Sequence, residues 1–274
     1  MGKRDLRGRV VAITGASSGI GAATAVACGR KGMRVGLMAR REDRLQAVAY
    51  AVREAGGEAE VVPGDVRDRA AVECLVEAVV RRWARLDAVV ANAGFGVAAP
   101  VAETPPEEAR EIFDVNVLGT VWAIQAAWPV FREQGSGHVV VVSSASAWAG
   151  LPGSALYSAT KAAQTNLAEG LRIEAEAIGA DVSVVHPVVT DTEFRTALRD
   201  HTSGGSERAR ARVGGPRQSA EEVASAILDC LERPRFLVTP YAPARLLPWL
   251  EAISPRLTAR VLRYPEYYRR QTKR

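Results

Sequence analysis

Tyr157 and Lys161 stand four residues apart in Tyr157-Ser158-Ala159-Thr160-Lys161, a spacing that puts both on one face of a helix, about one turn apart. A phenol with a reference pKa of about 10 is a poor base near neutrality. A neighbouring ammonium favours the phenolate, and lowering the phenol by about three units takes roughly 4 kcal/mol of differential stabilisation. Ser144 comes thirteen residues before Tyr157, directly after the apolar run His138–Ser143. A hydroxyl there can hydrogen-bond a substrate oxygen, because open α/β sheets gather their ligands at the carboxyl ends of strands. Asn116, in Asp114-Val115-Asn116-Val117-Leu118-Gly119, has a side chain able to bond backbone carbonyls or hold a water beside Lys161. The plainer reading of Asn116 is a surface or helix-kink residue.

A second group of residues suits a phosphate. Thr14-Gly15-Ala16-Ser17-Ser18-Gly19-Ile20-Gly21 follows the apolar run Val10–Thr14 and opens a helical stretch. Gly15 permits a tight turn, and Gly19 and Gly21 permit close approach of backbone, pyrophosphate and helix. The helix start turns unpaired N–H groups toward the phosphates. The next strand ends Leu37-Met38-Ala39-Arg40-Arg41. An acid at that point would bond the adenosine ribose hydroxyls of NAD, whereas an arginine pairs with the 2′-phosphate of NADP. Ala39 takes the acid's place and Arg40 follows, with Ser17 and Arg41 to assist, so NADP(H) is expected over NAD(H). The competing reading is two solvated arginines at a helix start.

The T-G-x-x-x-G-x-G turn, taken with the spacing of Asn116, Ser144, Tyr157 and Lys161, resembles the short-chain dehydrogenase/reductase family from about Arg9 to Glu232. By that resemblance these four residues form a catalytic tetrad for hydride transfer between nicotinamide and a carbonyl or alcohol carbon. Tyr157 is then general acid in reduction and base in oxidation. Ser144 stabilises the oxygen, Lys161 depresses the Tyr157 pKa and bonds the nicotinamide ribose, and Asn116 holds a water that feeds protons to Lys161. Asn92-Ala93-Gly94 resembles the family's element supporting the cofactor crevice, and Asp65-Val66 resembles the pair lining the adenine pocket. The family commonly has Pro-Gly and then Thr near the nicotinamide amide. Here the chain reads His186-Pro187-Val188-Val189-Thr190-Asp191-Thr192, so Val188 adds bulk where glycine is usual, while Thr190 and Thr192 keep the carboxamide contacts and Pro187 counts among the cofactor-binding residues. The resemblance also implies a homodimer or homotetramer. Phe95, Trp148, Val188 and Phe194 follow strand ends and suggest an apolar pocket for a lipophilic ketone, aldehyde or alcohol, although each also suits ordinary core. Val97 and Leu151 are read as core. The rival function is a catalytically silent dinucleotide-binding regulator or scaffold, against which the intact tetrad argues.

These residues need a scaffold that brings strand ends together. Strand-like runs are Val10–Thr14, Arg34–Ala39, Ala59–Pro63, Ala88–Ala91, His138–Ser143, Val182–His186 and Phe236–Val238. Helical periodicity fills Glu42–Ala55, Asp68–Trp83, Glu107–Phe131, Tyr157–Ile178 and Ala220–Glu232. Runs such as Val139-Val140-Val141-Val142 are apolar on both faces, as a strand between two helix layers must be. Strands alternating with helical crossovers predict a three-layer, Rossmann-like doubly wound α/β fold of about seven parallel strands. One domain over residues 1–239 is expected, with a basic amphipathic extension over 240–274. His201–Gly215 reads as either a surface loop or a lid over the substrate. In the extension, Leu246, Leu250, Ile253 and Leu257 recur at helical spacing with arginines interleaved. Docking on the domain or on a partner subunit is preferred there over peripheral contact with a membrane surface.

The 274 residues carry a net charge of +5, with 47% hydrophobic and 24% charged residues, which suits a globular chain with a substantial core. No clustered basic stripe or nucleic-acid module accompanies that charge, so no nucleic-acid partner is expected. Cys28, Cys74 and Cys230 lack metal-ligand spacing and predict neither disulfides nor a metal site. All three fall in helical stretches and read as buried apolar residues in a reducing compartment. No apolar leader follows Met1 and no run approaches a membrane span, so the cytoplasm is the expected location.

Overall fold

The computed structural model describes residues 2–191, 199–200 and 217–261. Seven strands form one sheet: β1 (Val10–Thr14), β2 (Arg34–Ala39), β3 (Glu58–Pro63), β4 (Ala88–Ala91), β5 (Gly137–Val142), β6 (Ala180–Val185) and β7 (Leu237–Val238). Their spatial order is β7-β6-β5-β4-β1-β2-β3, and every neighbouring pair is parallel. The strand order reverses between β1 and β4, and the crevice at such a switch point is where open sheets bind ligands.

The helices are α1 (Gly19–Arg30), α2 (Glu42–Glu54), α3 (Arg69–Trp83), α4 (Pro106–Phe113), α5 (Gly119–Gln134), α6 (Ala155–Glu176), α7 (Ala220–Glu232), α8 (Leu247–Ile253) and α9 (Pro255–Val261). The pleat of β5 sorts them into layers. Val140 and Val142 pack with Ala25 and Cys28 of α1, Leu45 and Val52 of α2, and Ile227 of α7. Val139 and Val141 pack with Leu75 and Val79 of α3, Phe131 of α5 and Ala168 of α6. Each of these valines is almost wholly buried, and full burial of such a side chain stabilises the fold by roughly 1.5–3 kcal/mol. The alternation thus builds the three-layer, doubly wound fold that the sequence predicts.

Two expectations are corrected. The helix expected over Glu107–Phe131 is interrupted: a π-helical turn, Asp114–Leu118, separates α4 from α5. A π turn holds one extra residue per turn and re-aims the side chains within it, and Asn116 lies inside this one. Cys28 and Cys230 are buried, with burial pushing both thiols up to about 12, but Cys74 is exposed on α3. Its position puts it on the solvent side of a helix whose core face is Val72, Leu75, Val76 and Val79.

Two short parallel ladders join loops beyond the strand ends: Val97–Ala98 with Arg199–Asp200, and Val189–Asp191 with Arg217–Ser219. Leu246, Trp249, Ile253 and Leu257 around α8 and α9 are exposed. No described helix is long and apolar enough to cross a membrane. Thr192, Phe194, the 201–215 segment and the extension beyond 261 lie outside the described residues.

Candidate active site

The Gly-rich turn is built by β1 and completed by β4. Gly15 has φ +66°, a left-handed conformation in which a side chain is strained. A Cβ there would sit 2.8 Å from the Ala93 Cα, and a Cβ on Gly21 would meet the Asn92 amide nitrogen at 2.6 Å. Asn92 Nδ2 donates to the carbonyls of Thr14 and Gly15, at 3.0 and 3.2 Å, while Thr14 Oγ1 accepts from the backbone N–H groups of Asn92 and Ala93. The sequence elements around Gly15 and Asn92 are therefore two halves of one clamp. The side-chain-free cradle opens onto the N-terminus of α1, an arrangement that fits a dinucleotide pyrophosphate.

Beside the turn, Arg41 donates to Ser17 Oγ at 3.1 Å and Ser18 Oγ at 2.9 Å. Arg40 is exposed at the end of β2. Burial raises the Asp65 carboxyl, but hydrogen bonds from Arg67 and the charges of Arg67 and Arg40 outweigh it and hold the group below its ordinary value. Val66 is buried next to it.

Ser144 follows β5 and caps the 3-10 turn Ala145–Ala147. Its Oγ accepts from the Ser146 backbone N–H at 3.1 Å and from Ser146 Oγ at 3.0 Å, and it is hydrogen-bonded to the Tyr157 hydroxyl. With two donors on its lone pairs, Ser144 keeps its own proton to give. Tyr157 and Lys161 both lie at the start of α6, and Lys161 Nζ sits 5.6 Å from the centre of the Tyr157 ring. Lys161 is 4% exposed and donates to the Val142 carbonyl at 3.0 Å and to Gln164 Oε1 at 2.9 Å.

Burial pushes the Tyr157 phenol up to about 12, against a hydrogen bond from Ser144 that lowers it, and pulls Lys161 down to about 7. The Tyr157 shift is opposite to the depression expected from a neighbouring ammonium. Desolvation penalises the charged form of each group, and Lys161 spends its described bonds on carbonyls and not on the phenol oxygen.

Asn116 is fully buried, and its carboxamide brackets Phe95: Nδ2 donates to Phe95 O and Oδ1 accepts from Phe95 N, both at 3.0 Å. Nδ2 also donates to Thr160 Oγ1 on α6. The side chain therefore bonds a backbone carbonyl, one of the readings that the sequence leaves open, and Asn116 is not a surface residue. The Asn116 carbonyl accepts from Gln164 Nε2 and Thr120 Oγ1, and Gln164 in turn reaches Lys161.

Residues 9–203 match the model of the short chain dehydrogenase family. The chain belongs to the short-chain dehydrogenase family. An uncharacterized oxidoreductase of Listeria innocua is 32% identical over 232 residues, covering 84% of this chain and 92% of that protein. An alcohol dehydrogenase from Thermococcus sibiricus, solved with 5-hydroxy-NADP, is 29% identical with a TM-score of 0.72, covering 84% of this chain and 95% of its own. A short-chain dehydrogenase/reductase from Burkholderia phymatum, solved with NAD, superposes with a TM-score of 0.85 over 93% of this chain and 96% of its own; at 24% identity that likeness concerns the fold. This short-chain dehydrogenase is accordingly an oxidoreductase.

In this short-chain dehydrogenase, Phe95 and Tyr157 both pack against the small cluster of Val97, Ala99 and Ile112. Trp148 stacks at 4.6 Å on His186, a ring that burial pushes down to about 4 and keeps neutral. Val188 is half-buried; its N–H donates to Gln218 Oε1 at 3.3 Å, and its carbonyl accepts from Thr190 Oγ1 at 3.0 Å. Pro187 accepts from Ala145 N at 2.8 Å, which ties the loop after β6 to the loop carrying Ser144. Val97 is core, as expected, and Leu151 is half-buried. Sequence reasoning missed Ser146, Thr120, Thr160 and Gln164, polar residues at helical or turn positions that carry no local signature. Among the described residues no cluster able to hold a metal ion occurs.

Proposed function

We propose that this chain is an NADP(H)-dependent reductase of lipophilic ketones or aldehydes, also able to run the reverse oxidation. The observation that carries the reading is the convergence of Ser144, Tyr157 and Lys161 at the carboxyl ends of the central strands, beside the Gly-rich cradle. When bound, nicotinamide supplies the hydride that the carbonyl carbon receives. Tyr157, held as a neutral phenol by burial, gives its proton to the oxygen that gains charge. Ser144, with its lone pairs occupied by Ser146, turns its one proton from Tyr157 to the same oxygen when substrate is present. Lys161 as an ammonium offsets the phenolate left behind. Asn116 holds Phe95 and α6 in register.

Arg40 and Arg41 support NADP(H) over NAD(H), because no acid stands at the end of β2 and Arg41 already leans over Ser17 and Ser18. The dinucleotides in the Thermococcus and Burkholderia structures, one related to NADP and one NAD, leave that choice to each chain's own residues. Phe95, Trp148 and Val188 favour an apolar substrate. The test is oxidation of NADPH, against NADH, over a panel of ketones and aldehydes with wild type and Tyr157→Phe. NADPH-dependent turnover that falls on the order of 10²–10⁴-fold on loss of the phenol oxygen, with NADPH binding kept, is expected. Tight NADPH binding with no turnover across the panel would instead favour the silent scaffold.

A further inference from the structure

We propose that Gln164 is a positioning residue for Lys161, its side-chain amide bridging the Asn116 carbonyl to the lysine and presenting a fixed carbonyl that holds Lys161 in its ammonium form. The inference rests on the reading of Tyr157 and Lys161 as the proton-transfer pair.

Gln164 is fully buried and three residues after Lys161, so the two side chains share a face of α6. Its Nε2 donates to the Asn116 carbonyl and to Thr120 Oγ1, both at 2.7 Å. Thr120 gives its own proton to that same Asn116 carbonyl at 2.8 Å, so toward Gln164 the threonine oxygen can only accept. A backbone carbonyl can likewise only accept. Both neighbours demand the NH2 end of the amide, and the orientation of Gln164 is thereby determined by hydrogen-bond satisfaction. Its Oε1 faces Lys161 Nζ at 2.9 Å. A flipped amide would oppose its carbonyl to the Asn116 carbonyl and its NH2 to the lysine, losing all three bonds.

Lys161 therefore meets two fixed carbonyl dipoles, Val142 O from β5 and Gln164 Oε1 from its own helix. An ammonium has three protons to donate and nothing to accept, so such a pair favours it over the free amine. The ionisable groups facing it are Tyr157 on α6, 5.6 Å from ring centre to Nζ, and His186 beyond β6, kept neutral by burial and by the Lys161 charge. Asn116, from the π-helical turn, contributes a neutral carboxamide. Burial pulls Lys161 down, and the Gln164 carbonyl oxygen 2.9 Å from Nζ favours the charged form against it.

The test compares wild type, Gln164→Leu and Gln164→Glu in the full chain. The Lys161 titration is followed by NMR at the side-chain carbon next to Nζ, without nucleotide, and the pH dependence of carbonyl reduction with NADPH is measured alongside. Wild type is expected to titrate near 7. Gln164→Leu removes the acceptor and moves the midpoint down by about one unit, and Gln164→Glu sets a carboxylate beside the ammonium and moves it up. The high-pH limb of kcat follows in the same two directions. A midpoint unmoved in both variants, or moved the same way in both, would show that Gln164 merely packs. Gln164→Glu matches the native side chain in shape and carries the test if the leucine variant does not fold. Wild-type turnover by Tyr157→Phe would overturn the proton-transfer reading instead, leaving the Lys161 titration to judge Gln164 by itself.

Discussion

At the phosphate turn, Gly15, Gly19 and Gly21 are required by backbone conformation and close approach, within one eight-residue segment. At the proposed catalytic cluster, Lys161 is held by the end of β5, by Gln164 on α6 and, through it, by Asn116 and Thr120 around the π-helical turn. The first region depends mainly on missing side chains, with Thr14 and Asn92 clamping it. The second is a chain of polar contacts in which each member fixes the next, so its requirements are spread over distant segments. A ligand that many oxidoreductases share can be bound by geometry alone, whereas a proton must be placed on one atom, and that takes a full set of satisfied partners.

Substitution should break the two regions differently. The largest effect is expected from Gly21→Val, which drives a side chain into the Asn92 amide and the Gly15 carbonyl. It should cost about 1–3 kcal/mol of stability and abolish dinucleotide binding, measured by denaturant unfolding and NADPH fluorescence. Wild-type binding by this variant would mean that the turn is not held by close approach. A smaller effect is expected when Arg40 and Arg41 are both changed to Ala. Loss of charge-assisted bonds worth about 1.5–3 kcal/mol should weaken NADPH by roughly ten- to a hundredfold in a titration while leaving NADH unchanged, and an equal loss for both dinucleotides would remove the arginines from the 2′-phosphate. The mildest is a pH effect confined to the catalytic region. The sign follows from Lys161, which is charged below about 7 and neutral above it. The kcat/KM for NADPH in the reductive direction, which reports the free enzyme, should therefore decline as pH rises through about 7. NADPH binding to Tyr157→Phe, measured over the same range, should separate binding from chemistry.

The same contrast explains what was legible in the sequence. β1, β2 and β4 begin and end where the apolar runs do, because strands buried on both faces read as unbroken hydrophobic segments. The glycines of the turn were legible for a similar reason, since their constraint is local. The break at Asp114–Leu118 was not, because no Pro or Gly lies within it and Gly119 at its end is ordinary in a helical run: Asn116 turns inward to satisfy Phe95, and that partner is set by the fold. Gln164 was invisible for the same cause, a glutamine at helical spacing being ordinary until Asn116 and Thr120 arrive beside it. The burial assigned to Cys74 failed because helical placement does not say which face a residue takes.

The clamp between Asn92 and the turn also orders events in time. β1 can pair with β2, and β2 with β3, from the first stretch of chain alone. The carbonyls of Thr14 and Gly15, however, wait for Asn92, which arrives only with β4. As the chain is synthesised, the Gly-rich turn therefore remains unfinished until β4, more than seventy residues further on, has docked. A dinucleotide held by the proposed cradle would therefore stabilise only chains that have already passed that point.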